Sequence, residues 1–306
     1  MIGHYFLLLT SYFLLLNMVS KKRYFGRAIA SFLLVLFTMP LGHAVMILME
    51  HIMDPGPLHV AGFLLGLAGL IIAVAGIFVR GDLRQTLFGF FGGLLFWTGW
   101  VEFLFQYYAD RYGMLPMPDP MGGRPTQPEY LIMPASFGFL VMFWLLYIFS
   151  TRSGCLFFSW IQRHLFPKGN SELANLRPMT RHTSLTTFME FNVMIWTSYV
   201  TLMFCYDTNF LGVSHPITLA LGVVCLAGSV YMFLKQTRMK SWGANIRMSI
   251  ATVLVFWTFV EIIGRLGILH EIWLQPLDHI REMVALGLLF VALAGYTLYD
   301  AFKVRS

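Results

Sequence analysis

Two glutamates interrupt long apolar runs. Glu102 sits in the run 94–105 and Glu261 in the run 253–263. A carboxylate at bilayer depth costs roughly 2.5–3.5 kcal/mol on insertion scales, so each reads as a group with a task. They lie 159 positions apart, and the same offset superposes Pro57 on Pro216, Ala61 on Ala220 and Leu67-Ala68-Gly69 on Leu226-Ala227-Gly228. Phe96-Trp97-Thr98 and Phe256-Trp257-Thr258 also match, but at an offset of 160, one residue out of step. One helical turn beyond the glutamates stand Gln106 and Arg265, which correspond at the 159 offset. Side chains four apart on a helix are neighbours. Glu261 and Arg265 are therefore expected to form a structural ion pair, which lowers the cost of burial. Glu102 has only a neutral amide beside it, which makes Glu102, with Gln106, the expected proton- or ligand-binding group.

A second polar stripe follows from helical spacing. His43, Met46, Glu50 and Met53 fall on one face, with His51 and Asp54 at the same end. His43 and Glu50 join Glu102 as candidate ligand or proton carriers. Thioether with imidazole suits monovalent copper, and carboxylate with imidazole suits harder divalent ions. Met46, Met53, His51 and Asp54 are thus a candidate metal set, and a metal ion is the one cofactor the residues suggest. The run Met114-Leu115-Pro116-Met117-Pro118-Asp119-Pro120-Met121 adds thioethers near the same face.

These groups sit in a chain that is 58% hydrophobic and only 12% charged, about half the charge of an ordinary soluble domain. Several apolar runs approach or exceed the ~18–20 residues that cross a bilayer as a helix. The fold class is an all-α polytopic membrane protein, with about nine spans near 4–19, 28–53, 58–79, 86–109, 131–150, 188–207, 216–235, 248–268 and 282–302. Of 21 Lys and Arg, 17 fall in one set of loops, three (Arg111, Arg124, Arg281) in the other, and Arg265 within a span. Basic loops stay in the cytoplasm, so the N-terminus is expected outside and the C-terminus inside. The net charge of +6 is then a topology signal, with no nucleic-acid partner implied.

The offset suggests two parallel four-helix repeats. The expected units are an anchor helix at 1–27, a first four-helix unit at 28–150, a cytoplasmic amphipathic linker at 151–187, and a second unit at 188–306. Gly62, Gly66 and Gly69 share one side of their span, and Gly89, Gly92 and Gly93 open the next, as small residues do where helices approach closely. Cys155, Cys205 and Cys225 have neither disulfide nor zinc spacing. No His-Glu-x-x-His, phosphate loop, nucleophile elbow or Cys-x-x-Cys is present, which points away from an enzyme. The reading favoured by these residues is a small transporter or channel with an outward-side intramembrane carboxylate site for a proton or cation, its expected partner being a small ion or solute. A second is a non-catalytic subunit or assembly factor among other membrane subunits. A third is a membrane redox or copper-like metal protein using outward His, Met and carboxylates. Besides the lipid bilayer and this ion or solute no partner is specified, and a bacterial inner membrane is the expected location.

Overall fold

The computed structural model describes residues 2–118, 125–152, 156–165, 177–178, 182–269 and 271–303, with side chains from Tyr24 onward. The expected span at 4–19 therefore lies outside the described side chains, as do residues 119–124 of the outer loop, most of the linker after 165, and His270. The helices are α1 (Ile2–Ile52), α2 (Pro55–Phe78), α3 (Asp82–Phe96), α4 (Phe103–Arg111), α5 (Pro128–Ile132), α6 (Phe137–Ser150), α7 (Leu156–Leu165), α8 (Thr183–Tyr206), α9 (Pro216–Gln236), α10 (Trp242–Arg265) and α11 (Ile280–Lys303). A π-helical turn, Trp97–Glu102, joins α3 to α4. The protein is an all-α polytopic membrane protein. Among the described residues, eight stretches are long and apolar enough to cross a bilayer: Tyr24–Ile52, Pro55–Phe78, Asp82–Arg111, Tyr130–Phe149, Thr183–Tyr206, Pro216–Gln236, Trp242–Arg265 and Ile280–Ala301. They coincide with the last eight expected spans to within a few residues.

Helix boundaries follow local chemistry. Proline opens α2 and α9, where its missing N–H costs nothing. His215 and Ser241 cap α9 and α10 by accepting from the N–H groups of Ile217 and Ala244, as side-chain acceptors do at orphan helix donors. Gly81, at φ 107°, makes the turn from α2 into α3, a conformation that side chains with a Cβ resist.

Helix α10 runs through the centre, against α1, α3, α8 and α9. Its neighbours Phe90, Phe191, Leu34 and Val35 are fully enclosed with its own Ile246, Val253 and Leu254. By contrast, α6, α9 and α11 present most of their apolar surface outward, as helices bathed in lipid do. The glycines of α2 and α3 meet as their spacing implies. A Cβ on Gly69 would lie 2.4 Å from the Phe96 nitrogen and 2.6 Å from the Gly92 oxygen. A Cβ on Gly99 would lie 2.2 Å from the Gly66 nitrogen. Backbone touches backbone along this seam, so a methyl group has nowhere to go. The linker helix α7 is partly enclosed. Phe158 packs on Trp144 and Tyr147, and Gln162 Nε2 donates to the Ile148 carbonyl at 2.9 Å.

One end of the bundle is tied by buried charge. Arg27 donates to Asp300 Oδ2 through Nε and Nη2 at 2.9 and 2.8 Å, and to the Lys240 carbonyl through Nη1 at 2.8 Å. Trp242 Nε1 donates to the same Asp300 oxygen at 2.9 Å. The cluster joins α1, α10 and α11. Removing one member of a buried pair strands the other charge and costs about 3–5 kcal/mol. Asp300→Ala is accordingly expected to lower the melting temperature of the detergent-solubilised protein sharply, and an unchanged melting temperature would deny the cluster a structural role.

Candidate functional site

Six of the polar residues singled out by sequence, His43, Glu50, Glu102, Gln106, Glu261 and Arg265, line one cavity of about 790 Å³. Five of the eight spans line it. Helix α1 contributes Thr38, His43, Met46 and Glu50; the α3–π–α4 segment contributes Trp97, Thr98, Glu102, Gln106 and Asp110; α8 contributes Tyr199, Met203 and Tyr206; α10 contributes Trp257, Glu261 and Arg265. Tyr130, at the start of the span that includes α6, completes the wall. Two loop segments, Met114–Pro128 in part and Glu271–Gln275, cover one end. Glu50 and Asp110 are exposed there, whereas Glu102 and Glu271 are buried. The cavity thus runs from mid-bundle toward the loop end that carries few basic residues.

The lining holds five carboxyl groups (Glu50, Glu102, Asp110, Glu261, Glu271) against one guanidinium, Arg265, and one imidazole, His43. Glu50 is a hydrogen-bonding neighbour of Gln106, with Asp110 close by. Glu261 accepts from the Trp257 indole N–H at 2.8 Å, and its electrostatic neighbours include Glu271 and Arg265. The expected Glu261–Arg265 pairing is thus an electrostatic proximity, while the guanidinium makes its hydrogen bonds elsewhere. It donates to the Pro125 carbonyl at 3.3 Å and to Thr126 Oγ1, and lies 5.2 Å from the centroid of the Tyr206 ring. Arg265 therefore holds the covering loop onto the bundle. The loop is further braced by the reciprocal backbone bonds of Met117 and Thr126, at 2.9 and 2.8 Å.

Part of the lining is aromatic. Trp97, Tyr199 and Tyr130 form a continuous stack, with centroids 5.8 and 5.5 Å apart and planes within 15° and 8°. Trp257 leans on Trp273 at 5.1 Å. Among the described residues, eight buried side-chain polar atoms have no hydrogen-bond partner, and four of them belong to lining residues: Trp97 Nε1, Gln106 Oε1, Tyr206 Oη and Arg265 Nε. Buried polar groups are paired in the great majority of cases, so their concentration around one cavity is a chemical signal. Such an ensemble can hold a cation by charge, face it with aromatic rings, and offer both donors and acceptors.

The structure brings together His43, Met46, Glu50, Glu102, Gln106, Glu261 and Arg265. It leaves Met53, His51 and Asp54 exposed at the α1–α2 junction, outside the cavity lining, so the candidate metal set is divided between two places. Among the described residues no group of three or more His, Cys, Asp or Glu could hold a metal ion. Sequence reasoning did not assign a site role to Glu271, Tyr130, Tyr199, Tyr206 or Trp273. Glu271 and Trp273 lie in an irregular loop where no helical period points inward; the tyrosines resembled ordinary span residues. Glu190, a further buried carboxylate, lies apart from the cavity and accepts from Tyr147 Oη. The chain matches no protein-family model, no curated protein and no solved structure.

Hydrogen bonds from a charged donor contribute about 1.5–3 kcal/mol. Arg265→Met should therefore loosen the covering loop, with amide hydrogen exchange at Met117 and Thr126 rising roughly tenfold or more. Exchange equal to wild type at both amides would show that Arg265 does not anchor the loop.

Proposed function

We propose that this integral membrane protein is a small carrier that binds a cationic solute in the intramembrane cavity, with Glu102 as its principal carboxylate. The observation that carries the reading is the convergence of five carboxyl groups and one guanidinium on a single cavity walled by stacked aromatic rings. An excess of acid over base in a low-dielectric site favours positive charge, because Coulomb attraction there is several times stronger than in water. A volume of about 790 Å³ lies in the range of molecular ligand pockets, far beyond what a bare proton or metal ion requires. Repeated helical bundles with a polar site near mid-membrane are a usual transporter plan, and the 159-residue offset supports a two-unit arrangement of 28–150 and 188–306.

In this reading the solute enters from the loop end. The bias of Lys and Arg toward the opposite end supports an outward-facing mouth. Glu50 and Asp110, exposed at the mouth, draw the cation in. Glu102, buried on the π turn, receives it deeper, with His43 and Gln106 adjacent along the lining. Arg265 is already committed to the covering loop and to Tyr206, so it balances Glu261 and Glu271 rather than competing with the solute. Release requires the loops over the mouth, or the opposite ends of the spans, to shift. No separate binding residue is needed on α6, α9 or α11, which face outward.

The test uses proteoliposomes and a panel of inorganic cations and small organic ammonium ions, read as charge displacement on a supported membrane. Glu102→Gln keeps the shape of the side chain and removes its charge. Losing one member of a buried charge pair costs at least about 2 kcal/mol, so half-saturation should rise at least about thirtyfold for any cation the wild type responds to. A variant that is folded and responds like wild type would remove Glu102 from the mechanism.

A further inference from the structure

The two tryptophan–glutamate segments differ by one residue, and the structure shows where it went. Phe96-Trp97-Thr98-Gly99-Trp100-Val101-Glu102 stands against Phe256-Trp257-Thr258-Phe259-Val260-Glu261. The second segment lies within the regular helix α10. The first is the π-helical turn, in which the Phe103 N–H bonds to the Thr98 carbonyl five residues back. A π turn takes up one extra residue in an otherwise α-helical run and recurs at functional sites. The change of offset from 160 to 159 falls inside this turn. Trp97 and Glu102, five apart, consequently still line the cavity together; in a regular helix at 3.6 residues per turn they would diverge around the axis.

The consequence for the indole groups is different in each copy. Trp257 Nε1 donates to its own Glu261 at 2.8 Å, so that pair is closed on itself. Trp97 is only 2% exposed and its Nε1 has no acceptor among the described residues. Its ring is fixed by the stack on Tyr199. The turn is fixed from behind as well. Gly99 abuts the backbone of Gly62 and Gly66, and Trp100, pointing the other way, donates to the Phe63 carbonyl at 2.9 Å.

We propose that the extra residue parts the Trp97 indole N–H from the glutamate of its own motif and frees that donor, and that Trp97 and Glu102 together recognise an organic ammonium bearing a hydrogen-bond acceptor close to its nitrogen. The ammonium sits toward the Glu102 carboxylate, the acceptor takes the Trp97 N–H, and the Trp97–Tyr199–Tyr130 stack faces the hydrocarbon part of the molecule. A cation beside aromatic faces gains further from the ring quadrupoles. Trp257–Glu261, with its donor already used, carries charge balance and no recognition. This assignment rests on the reading of the cavity as a cation site.

Three probes separate the contributions: 2-amino-1-phenylethanol, which has both groups; phenethylammonium, which lacks the hydroxyl; and 1-phenylethanol, which keeps the hydroxyl and lacks the charge. Binding to the full chain in mild detergent is measured by calorimetry for wild type, Trp97→Phe, Trp257→Phe and Glu102→Gln. The amino alcohol should bind tightest and the neutral alcohol not measurably. Trp97→Phe should weaken the amino alcohol about tenfold, the equivalent of one hydrogen bond to a buried donor, and leave phenethylammonium within about twofold. Trp257→Phe, which removes the donor to Glu261, should change the affinity of both ammonium probes by the same factor, leaving their ratio within about twofold of wild type. In ¹⁵N-labelled wild type, the Trp97 indole N–H resonance should move on saturation with the amino alcohol while that of Trp257 stays. That reading does not depend on any variant folding. If both ammonium probes bind equally and the Trp97 resonance is unmoved, the role of the freed donor is overturned while the cation site stands. If neither ammonium binds and Glu102→Gln is indistinguishable from wild type, the cation site falls with it.

Discussion

Charged groups inside a bilayer cannot be left facing lipid, and this chain places six around one cavity: five carboxyl groups and a guanidinium. Desolvation of each is expensive unless another polar group is near. The fold solves the problem geometrically. Glu50 on α1, Glu102 and Asp110 on the α3–α4 segment, and Glu261 and Arg265 on α10 face the same space, where Glu271 joins them from a loop, while α6, α9 and α11 meet the lipid. The choice of which helices are central and which peripheral follows from this. Helix α10 must be enclosed on its cavity side and on its packing side, and it is the most buried of the spans.

Close packing of α2 against α3 makes the arrangement possible. With Gly62, Gly66 and Gly69 facing Gly92 and Gly99, the two backbones touch, and dispersion contacts over that seam replace the hydrophobic driving force that is missing in lipid. The seam also supports the π turn. Backbone groups displaced by a wide turn would be costly beside lipid, but here Gly99 is pressed onto Gly62 and Gly66 and the indole of Trp100 is hydrogen-bonded to the Phe63 carbonyl. A turn that would be a defect on an exposed helix is held between two fixed surfaces.

Much of this was legible in residue types and spacing. Apolar length marked the eight described spans, because in a bilayer length and hydropathy dominate every other constraint. The cost of an intramembrane carboxylate marked Glu102 and Glu261, and the helical period put His43, Met46 and Glu50 on one face. The period failed at the end of α1: Met53 continues the same spacing, but the helix stops at Ile52 and the residue turns outward. The Arg265 hydrogen bonds to Pro125 and Thr126 were also hidden, since a long side chain chooses among partners by tertiary placement and its i−4 neighbour is only the nearest in sequence. Glu271 and the Tyr130–Tyr199–Trp97 stack arise from loops and helices brought together across large sequence separations, and no local pattern encodes that. The one-residue slip between the two tryptophan motifs was the trace of the π turn; a linear comparison shows that a residue has been added but not how the backbone absorbs it.

The two glutamates, matched in sequence, are therefore unmatched in chemistry. Glu261 has an indole donor one turn away, a second carboxyl group in Glu271 and a guanidinium nearby, so its environment is largely furnished by its own surroundings. Glu102 lies on a turn whose extra residue separates the hydrogen-bonding roles of tryptophan and glutamate. A site built from two equivalent carboxylates would bind a symmetric charge and have no means of orienting it. In the proposed recognition, an indole donor used within its own pair on one side and a donor available to a ligand on the other would give the cavity a direction, so that an asymmetric molecule is held in one orientation. That asymmetry required no new side-chain type, only one inserted residue and a glycine seam able to contain it.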